Sequence, residues 1–365
     1  MAKRDLHVGL MSGTSLDGVD AVVADFSRSP FRLVSHAHVP FDIGLREGLL
    51  ALTTPGHDEI EQAGRLGTVL ADVYAQAVRM ALDAGSIDAA RISAVGCHGQ
   101  TIRHRPEQAF SIQIGNAALL AELTGLTVVA DFRSRDLAAG GQGAPLVPAF
   151  HAAGFGDPAE NRAVVNIGGI ANITLLPRGS PVLGFDTGPG NCLMNLWSQR
   201  HLNQPMDAGG AWGAGGKALA PLLARMLEEP FFSRPAPKST GRELFNKSWL
   251  EQLLDGSEDP RDVQATLLEL TVENICRALD DAACSVARLI VCGGGARNDA
   301  LMARLSERIA PRPAETSACY GLDCDQVEAA AFAWLAKRAL QTETGNLPEV
   351  TGARGHRVLG AIYPA

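Results

Sequence analysis

Val8-Gly9-Leu10-Met11-Ser12-Gly13-Thr14-Ser15-Leu16-Asp17-Gly18-Val19-Asp20-Ala21-Val22-Val23 reads as an apolar run, a small polar turn and a second apolar run. Short apolar runs bounded by Gly and Ser are strands, and the turn joins them as a hairpin. Val164-Val165-Asn166-Ile167-Gly168-Gly169-Ile170-Ala171-Asn172-Ile173-Thr174-Leu175 repeats the design in the second half of the chain. Two such hairpins suggest a chain of two similar halves, although any α/β protein can hold two glycine hairpins.

Working outward, Leu289-Ile290-Val291-Cys292 is a further strand that runs into Gly293-Gly294-Gly295. Apolar residues recur at helical spacing over 59–84, 262–280 and 325–340. Strand and helix signals alternate, so the predicted class is α/β. Composition agrees. Of 365 residues, 46% are apolar and 20% charged, which excludes disorder for the bulk of the chain. The length favours two domains or one large one. A net charge of -8 argues against a nucleic-acid binder that works through a basic surface. It leaves anionic ligands open, because a local nest of backbone N–H groups holds phosphate on an acidic protein.

No apolar run reaches the roughly 18 residues of a membrane helix. Ser12-Gly13-Thr14 breaks the apolar run behind Lys3 and Arg4, so no signal peptide is expected. The seven cysteines form no C-x-x-C pair. Buried free thiols in a reducing, cytoplasmic setting are expected.

The turn at Gly13, Thr14, Ser15, Leu16, Asp17 and Gly18 offers N–H groups and hydroxyls to phosphate oxygens, with carboxylates at Asp17 and Asp20. A plain polar turn accounts for the same residues. Gly216-Lys217 fails as a P-loop, since Ala218 stands where Ser or Thr must be. Gly293 to Asn298 lies between a strand and a helical stretch, so it reads as a ligand-facing glycine run or as a tight connection. Asp186, placed in a Gly/Pro loop after a strand at 182–185, suits general-base work or metal binding, and equally an Asx-turn. His98, Gln100 and Thr101 lie in a polar loop that suits a ligand pocket better than zinc. Arg133 or Arg135 offers a clamp for a carboxylate, or pairs with a nearby Asp. Pro237 to Arg242 reads as a basic, hydroxyl-rich loop or a solvated connection. Asp325 and Glu328 fit a variant capping box.

Together these residues resemble the anhydro-N-acetylmuramic acid kinase family. The opening Gly9-Leu10-Met11-Ser12-Gly13-Thr14-Ser15-Leu16-Asp17-Gly18-Val19-Asp20 is similar to that family's signature. The likeness continues through 96–104, 130–151, 165–174, 184–191, 237–246, 291–298 and 359–365. The resemblance implies two actin/hexokinase-like, ribonuclease H-like α/β domains flanking an ATP and sugar cleft. It implies an ATP- and Mg2+-dependent kinase that opens the 1,6-anhydro ring of 1,6-anhydro-N-acetylmuramic acid and phosphorylates O6. The product would be N-acetylmuramic acid 6-phosphate, in cytoplasmic peptidoglycan recycling. Asp186 would be the general base. Gly13 to Asp20, including Val19, would form the first phosphate hairpin, and Gly168 and Gly169 the turn of the second. Gly293, Gly294, Gly295 and Asn298 would face adenosine. His98, Gln100, Thr101 and Arg133 would line the sugar pocket, with Asp17 and Glu328 near the metal. A homodimer, with no nucleic-acid or membrane partner, is the family expectation. The halves are expected at 1–130 and 131–365, with the C-terminal tail able to return to the first. The alternatives are a levoglucosan-type anhydro-sugar kinase and a non-catalytic, nucleotide-gated protein of the same fold.

Overall fold

A computed structural model of the protein describes residues 5–365 except Thr14, Ser29 and Pro237. Its strands, in chain order, are β1 (Leu6–Met11), β2 (Gly18–Asp25), β3 (Arg32–Pro40), β4 (Ile92–Cys97), β5 (Gln100–Arg105), β6 (Phe110–Ile114) and β7 (Val128–Ala130). They continue as β8 (Arg162–Ile167), β9 (Ile170–Leu176), β10 (Leu183–Pro189), β11 (Arg288–Cys292), β12 (Ala314–Thr316) and β13 (Ala361–Tyr363). The chain divides into two compact units, Met1–Gly154 with Gln326–Ala365, and Phe155–Asp325. The break expected at 130/131 falls inside the first unit. There β7 pairs with β4 on one side and with β13, from the C-terminal tail, on the other.

Both hairpins form as expected. β1 pairs antiparallel with β2, and β8 with β9. The first unit's sheet has the order β13-β7-β4-β1-β2-β3, and the second's is β10-β9-β8-β11-β12. Without β13 the two orders match. Each has three antiparallel meander strands, then two strands added parallel beside the first. The duplication suggested by two glycine turns is therefore a duplication of whole sheets.

The predicted helices are present as Glu59–Ala84, Pro260–Asp280 and Val327–Leu340. The first turns Leu66, Leu70, Tyr74, Val78 and Leu82 inward, the i, i+4 stripe of an amphipathic helix. The capping box expected at Asp325 and Glu328 does not form. The residue before Val327–Leu340 is Gln326, with no side-chain cap, and the Asp325 carboxylate instead accepts from Arg297 Nε at 2.6 Å. An ion pair with a neighbouring loop has displaced the local cap.

The Val327–Leu340 helix lies directly on the first sheet. Gly9 and Gly96 are cross-strand partners on β1 and β4. A Cβ on Gly9 would overlap the carbonyl oxygen of Ala329, and one on Gly96 that of Phe332. The helix answers with Ala329, Ala330, Ala333 and Ala336, all buried. Small residues on both surfaces let backbone meet backbone, which seats the first turn of the helix, and Glu328 with it, over β1 and β4.

All seven cysteines are reduced thiols. Five are buried, Cys284 is half-buried and Cys319 is exposed. Among the described residues no helix is long and apolar enough to cross a membrane.

Candidate active site

In the first unit the β1–β2 turn is held from within. Leu16 N–H reaches Gly13 O at 3.3 Å, and Leu16 takes a left-handed φ of 55° that buries its side chain in the core. Val19 is also fully buried. Gly18 is required by packing, since a Cβ there would overlap the Val39 carbonyl. Asp20 pairs with His38 Nδ1 at 2.8 Å. The side chains of Leu16 and Val19 thus anchor the turn to the core. Gly13, Ser15 and Asp17 are left to face outward, and Ser15 Oγ donates to Asp17 Oδ1 at 2.8 Å. Thr14 lies outside the described residues.

Behind the turn lies a buried polar cluster. The Ser12 hydroxyl bonds the Tyr74 hydroxyl at 2.9 Å and donates to Gly99 O at 3.3 Å. Gln100 donates from Nε2 to Gly13 O at 3.2 Å, while its buried Oε1 has no partner. His98 packs against Phe332 with centroids 4.6 Å apart and the rings tilted by 46°. Arg133 donates from Nη2 to His98 Nε2 at 2.8 Å and from Nη1 to Gly143 O at 2.6 Å. Burial, then the Arg133 charge, push the His98 pKa down to about 3. The ring is therefore neutral, and the Arg133 bond assigns its proton to Nδ1, buried beside the backbone of Gly99 and Ser12. Arg133 Nε is unpartnered. The Thr101 hydroxyl accepts from Gln113 at 3.0 Å. The open Gln100 Oε1 and Arg133 Nε suit a polar ligand that would satisfy them.

Burial lowers the Arg133 pKa to about 10, and the carboxylates of Glu328, then Asp136, oppose the shift. Glu328 thus serves as counter-charge to Arg133. No group of three or more His, Cys, Asp or Glu that would hold a metal occurs among the described residues. Mg2+ needs no such cage, since it keeps waters and takes one or two carboxylates plus substrate phosphates. The exposed Asp17 fits that role.

In the second unit Asp186 is not in a loop but within β10, beside a bulge. Asp186 opposes Asn172 and Gly188 opposes Ala171, so Thr187 is the extra residue. A bulge of this kind turns neighbouring side chains off the ladder. The segment read as a basic loop grips Asp186 twice. The Asp186 N–H donates to Lys238 O at 3.0 Å, and Thr240 N–H donates to Asp186 Oδ2 at 2.9 Å. These are backbone contacts, so side-chain reading of 237–242 could not reveal them. Burial raises the Asp186 pKa to about 7. The Thr240 N–H opposes the rise and the Glu243 charge adds to it. A carboxylate poised near neutral pH suits a general base.

The glycines of this unit fall into two kinds. Gly293 has φ 78°, and its missing Cβ makes room for the Asn166 side chain, as that of Gly295 does for Ile167. These two serve packing. The Cβ positions of Gly168, Gly169 and Gly294 meet nothing closer than 3.4 Å. That is the cradle a phosphate or nucleoside would approach. Asn298 caps the helix Asp299–Ile309 by accepting from Leu301 N–H at 3.0 Å, so its side-chain oxygen is committed to structure. The residues that sequence reasoning passed over are Tyr74, whose only signal was a phenol on an apolar helix face, and Asp136.

Two units of this repeated topology define the actin/hexokinase-like α/β class. A solved structure at TM-score 0.50 and 12% identity, covering 90% of this chain and 96% of its own, is component A of (R)-2-hydroxyglutaryl-CoA dehydratase from Acidaminococcus fermentans, which agrees on the fold. The family model for anhydro-N-acetylmuramic acid kinase matches residues 5–365. An anhydro-N-acetylmuramic acid kinase of Nitrosospira multiformis is 53% identical over the whole of both chains. One of Nitrosomonas europaea is 52% identical over 98% of this chain and 99% of its own. The chain belongs to the anhydro-N-acetylmuramic acid kinase family, a family of kinase enzymes.

Proposed function

We propose that the protein phosphorylates 1,6-anhydro-N-acetylmuramic acid with ATP and water, giving N-acetylmuramic acid 6-phosphate and ADP. The observation that carries this reading is Asp186, a carboxylate with a pKa raised to about 7 on a bulged strand, in a chain matched end to end by one kinase family.

In the anhydro sugar O6 is bonded to C1, so no free hydroxyl stands ready to be phosphorylated. Asp186 takes a proton from a water that attacks C1 on the face opposite O6. The new C1–O bond forms as the C1–O6 bond breaks, and O6 forms its bond to the γ-phosphorus of ATP as the bond to ADP breaks. The anomeric step is that of an inverting glycosidase in which phosphorylation replaces the general acid, so one carboxylate base suffices. Backbone N–H groups at Gly13, Gly168 and Gly169 are assigned to the phosphates and Gly294 to the nucleoside. His98, Gln100, Thr101 and Arg133 are assigned to the sugar, with Arg133 toward its lactyl carboxylate. Mg2+, held by Asp17 through water, would offset charge on the phosphates. Cytoplasmic placement, a part in peptidoglycan recycling and a homodimer complete the proposal, and all three rest on the family resemblance.

The test is mass spectrometry of the products from Mg2+-ATP with 1,6-anhydro-N-acetylmuramic acid, levoglucosan or free N-acetylmuramic acid. The expected product gains one phosphoryl group and one water, from the anhydro-muramic acid only. Turnover of levoglucosan instead would move the substrate assignment. No product from any of the three would support a non-catalytic protein.

The pH profile is a second check. The base must be ionised, so kcat/KM should rise with pH to a plateau above about 7 and fall about tenfold per unit well below it. The Glu243 charge contributes to the raised pKa, so Glu243→Gln should move this limb to lower pH. A flat profile from pH 5 to 8 would remove Asp186 from the role.

A further inference from the structure

Asp136 is completely buried, and its carboxylate accepts hydrogen bonds from three residues. Asn346 Nδ2 donates to Oδ1 at 2.7 Å, and the Thr351 hydroxyl donates to the same oxygen at 2.8 Å. Gly143 N–H donates to Oδ2 at 2.8 Å. Asn346 and Thr351 are themselves buried, and both come from the C-terminal segment. That segment is tied on by backbone as well, through Gln142 N–H to Thr351 O and Arg354 N–H to Ala139 O, each at 2.8 Å. Gly143 is the hinge of the argument. Its N–H is held by Asp136, and its carbonyl accepts from Arg133 Nη1 at 2.6 Å. The Gly143 N–H and carbonyl lie in adjacent peptide planes joined at one Cα, so anchoring the N–H restrains the place from which the carbonyl meets the Arg133 guanidinium. Gly143 has φ 67°, and a Cβ on Gly141 would overlap the Asp136 carboxylate, so the loop between them is shaped around that one side chain.

We propose that Asp136, held by Asn346 and Thr351, is the positioning residue that aims Arg133 at the carboxylate of the sugar, so that the C-terminal segment helps to set substrate selectivity. This rests on the reading of Arg133 given above. An oriented guanidinium meets a carboxylate through paired N–H bonds, and a small misplacement forfeits them. The effect should therefore fall on substrates that carry the carboxylate.

The experiment compares kcat and KM for 1,6-anhydro-N-acetylmuramic acid and for 1,6-anhydro-N-acetylglucosamine, which lacks the lactyl carboxylate. The variants are Asp136→Asn, Thr351→Val, Thr351→Ser and Arg133→Gln. Asp136→Asn places an amide donor against other donors, and Thr351→Val is the milder change should that variant fold poorly. We expect Asp136→Asn and Thr351→Val to raise KM for the muramic substrate about tenfold. KM for ATP should stay within about twofold and the preference over the glucosamine analogue should collapse, while Thr351→Ser, which keeps the hydroxyl, restores it. Equal losses on both sugars would reduce Asp136 to a packing role and overturn the proposal. So would a lost preference in Arg133→Gln with none lost in Asp136→Asn and Thr351→Val. If Arg133→Gln itself keeps the preference, the carboxylate reading of Arg133 fails first and this inference falls with it.

Discussion

Asp186→Asn should lose about 10²–10⁴ in turnover while ATP binding is retained, the usual range for removal of a general base. The variant keeps the shape of the side chain, its acceptor for Thr240 N–H and the backbone bond to Lys238 O. What it loses is a basic oxygen. The same change should also stabilise the fold at neutral pH. Burial raises the Asp186 pKa from 3.8 to about 7, so between those values the native state holds a proton that the unfolded chain has released. Stability from this group is therefore present at low pH and lost as pH rises through about 7. An amide does not titrate, so the midpoint of thermal unfolding for Asp186→Asn should exceed that of the parent at pH 8, and the gap should close toward pH 5. Isothermal calorimetry with a nonhydrolysable ATP analogue, steady-state kinetics and thermal melts at the two pH values check the three parts. Near-normal turnover would sink the assignment of the base.

Gly9→Val should destabilise the protein by about 3 kcal/mol or more, beyond ordinary overpacking, because the obstacle is backbone. A side chain in the way of a new methyl group can change rotamer. The Ala329 carbonyl belongs to the helix ladder and can yield only if the whole helix lifts from β1 and β4. Lifting it would separate Phe332 from His98 and carry Glu328 away from Arg133. Thermal melts should show a fall in Tm of about 6–12 °C, and KM for the sugar should rise as well. Gly64→Ala is the control, since that glycine lies in the interior of Glu59–Ala84 with nothing within 4 Å of its Cβ position. It should stabilise by about 0.5–1 kcal/mol, the difference in helix propensity between the two residues. Equal effects at the two glycines would contradict the helix–sheet contact described here.

How much of this was legible beforehand follows from which forces are local. The hairpins at Val8 and Val164, the helix Glu59–Ala84 and the strand-turn-helix around Gly293 could be read from periodicity and turn residues, because those signals act between near neighbours in the chain. Asp186 could be singled out as a residue type in a glycine-rich stretch, but it was placed in a loop, since nothing in Thr187-Gly188-Pro189 announces a bulge inside a strand. The Asp325 cap was misread because its competitor, Arg297, lies 28 residues away in sequence.

Sequence alone also marked the phosphate glycines, without distinguishing Gly13 and Gly294, which stand open, from Gly18 and Gly293, which are filled by Val39 and Asn166. The family, the α/β class and the set of chemically able residues were determined by the order of amino acids. Tertiary structure decided which of those residues stand open and which are anchors. It raised the pKa of Asp186 by burial, turned Leu16 and Val19 into the core, and joined Asp136 to Asn346 and Thr351 across more than half the chain. Desolvation and hydrogen bonding depend on what surrounds a group in space, and those surroundings exist only once distant segments have packed together.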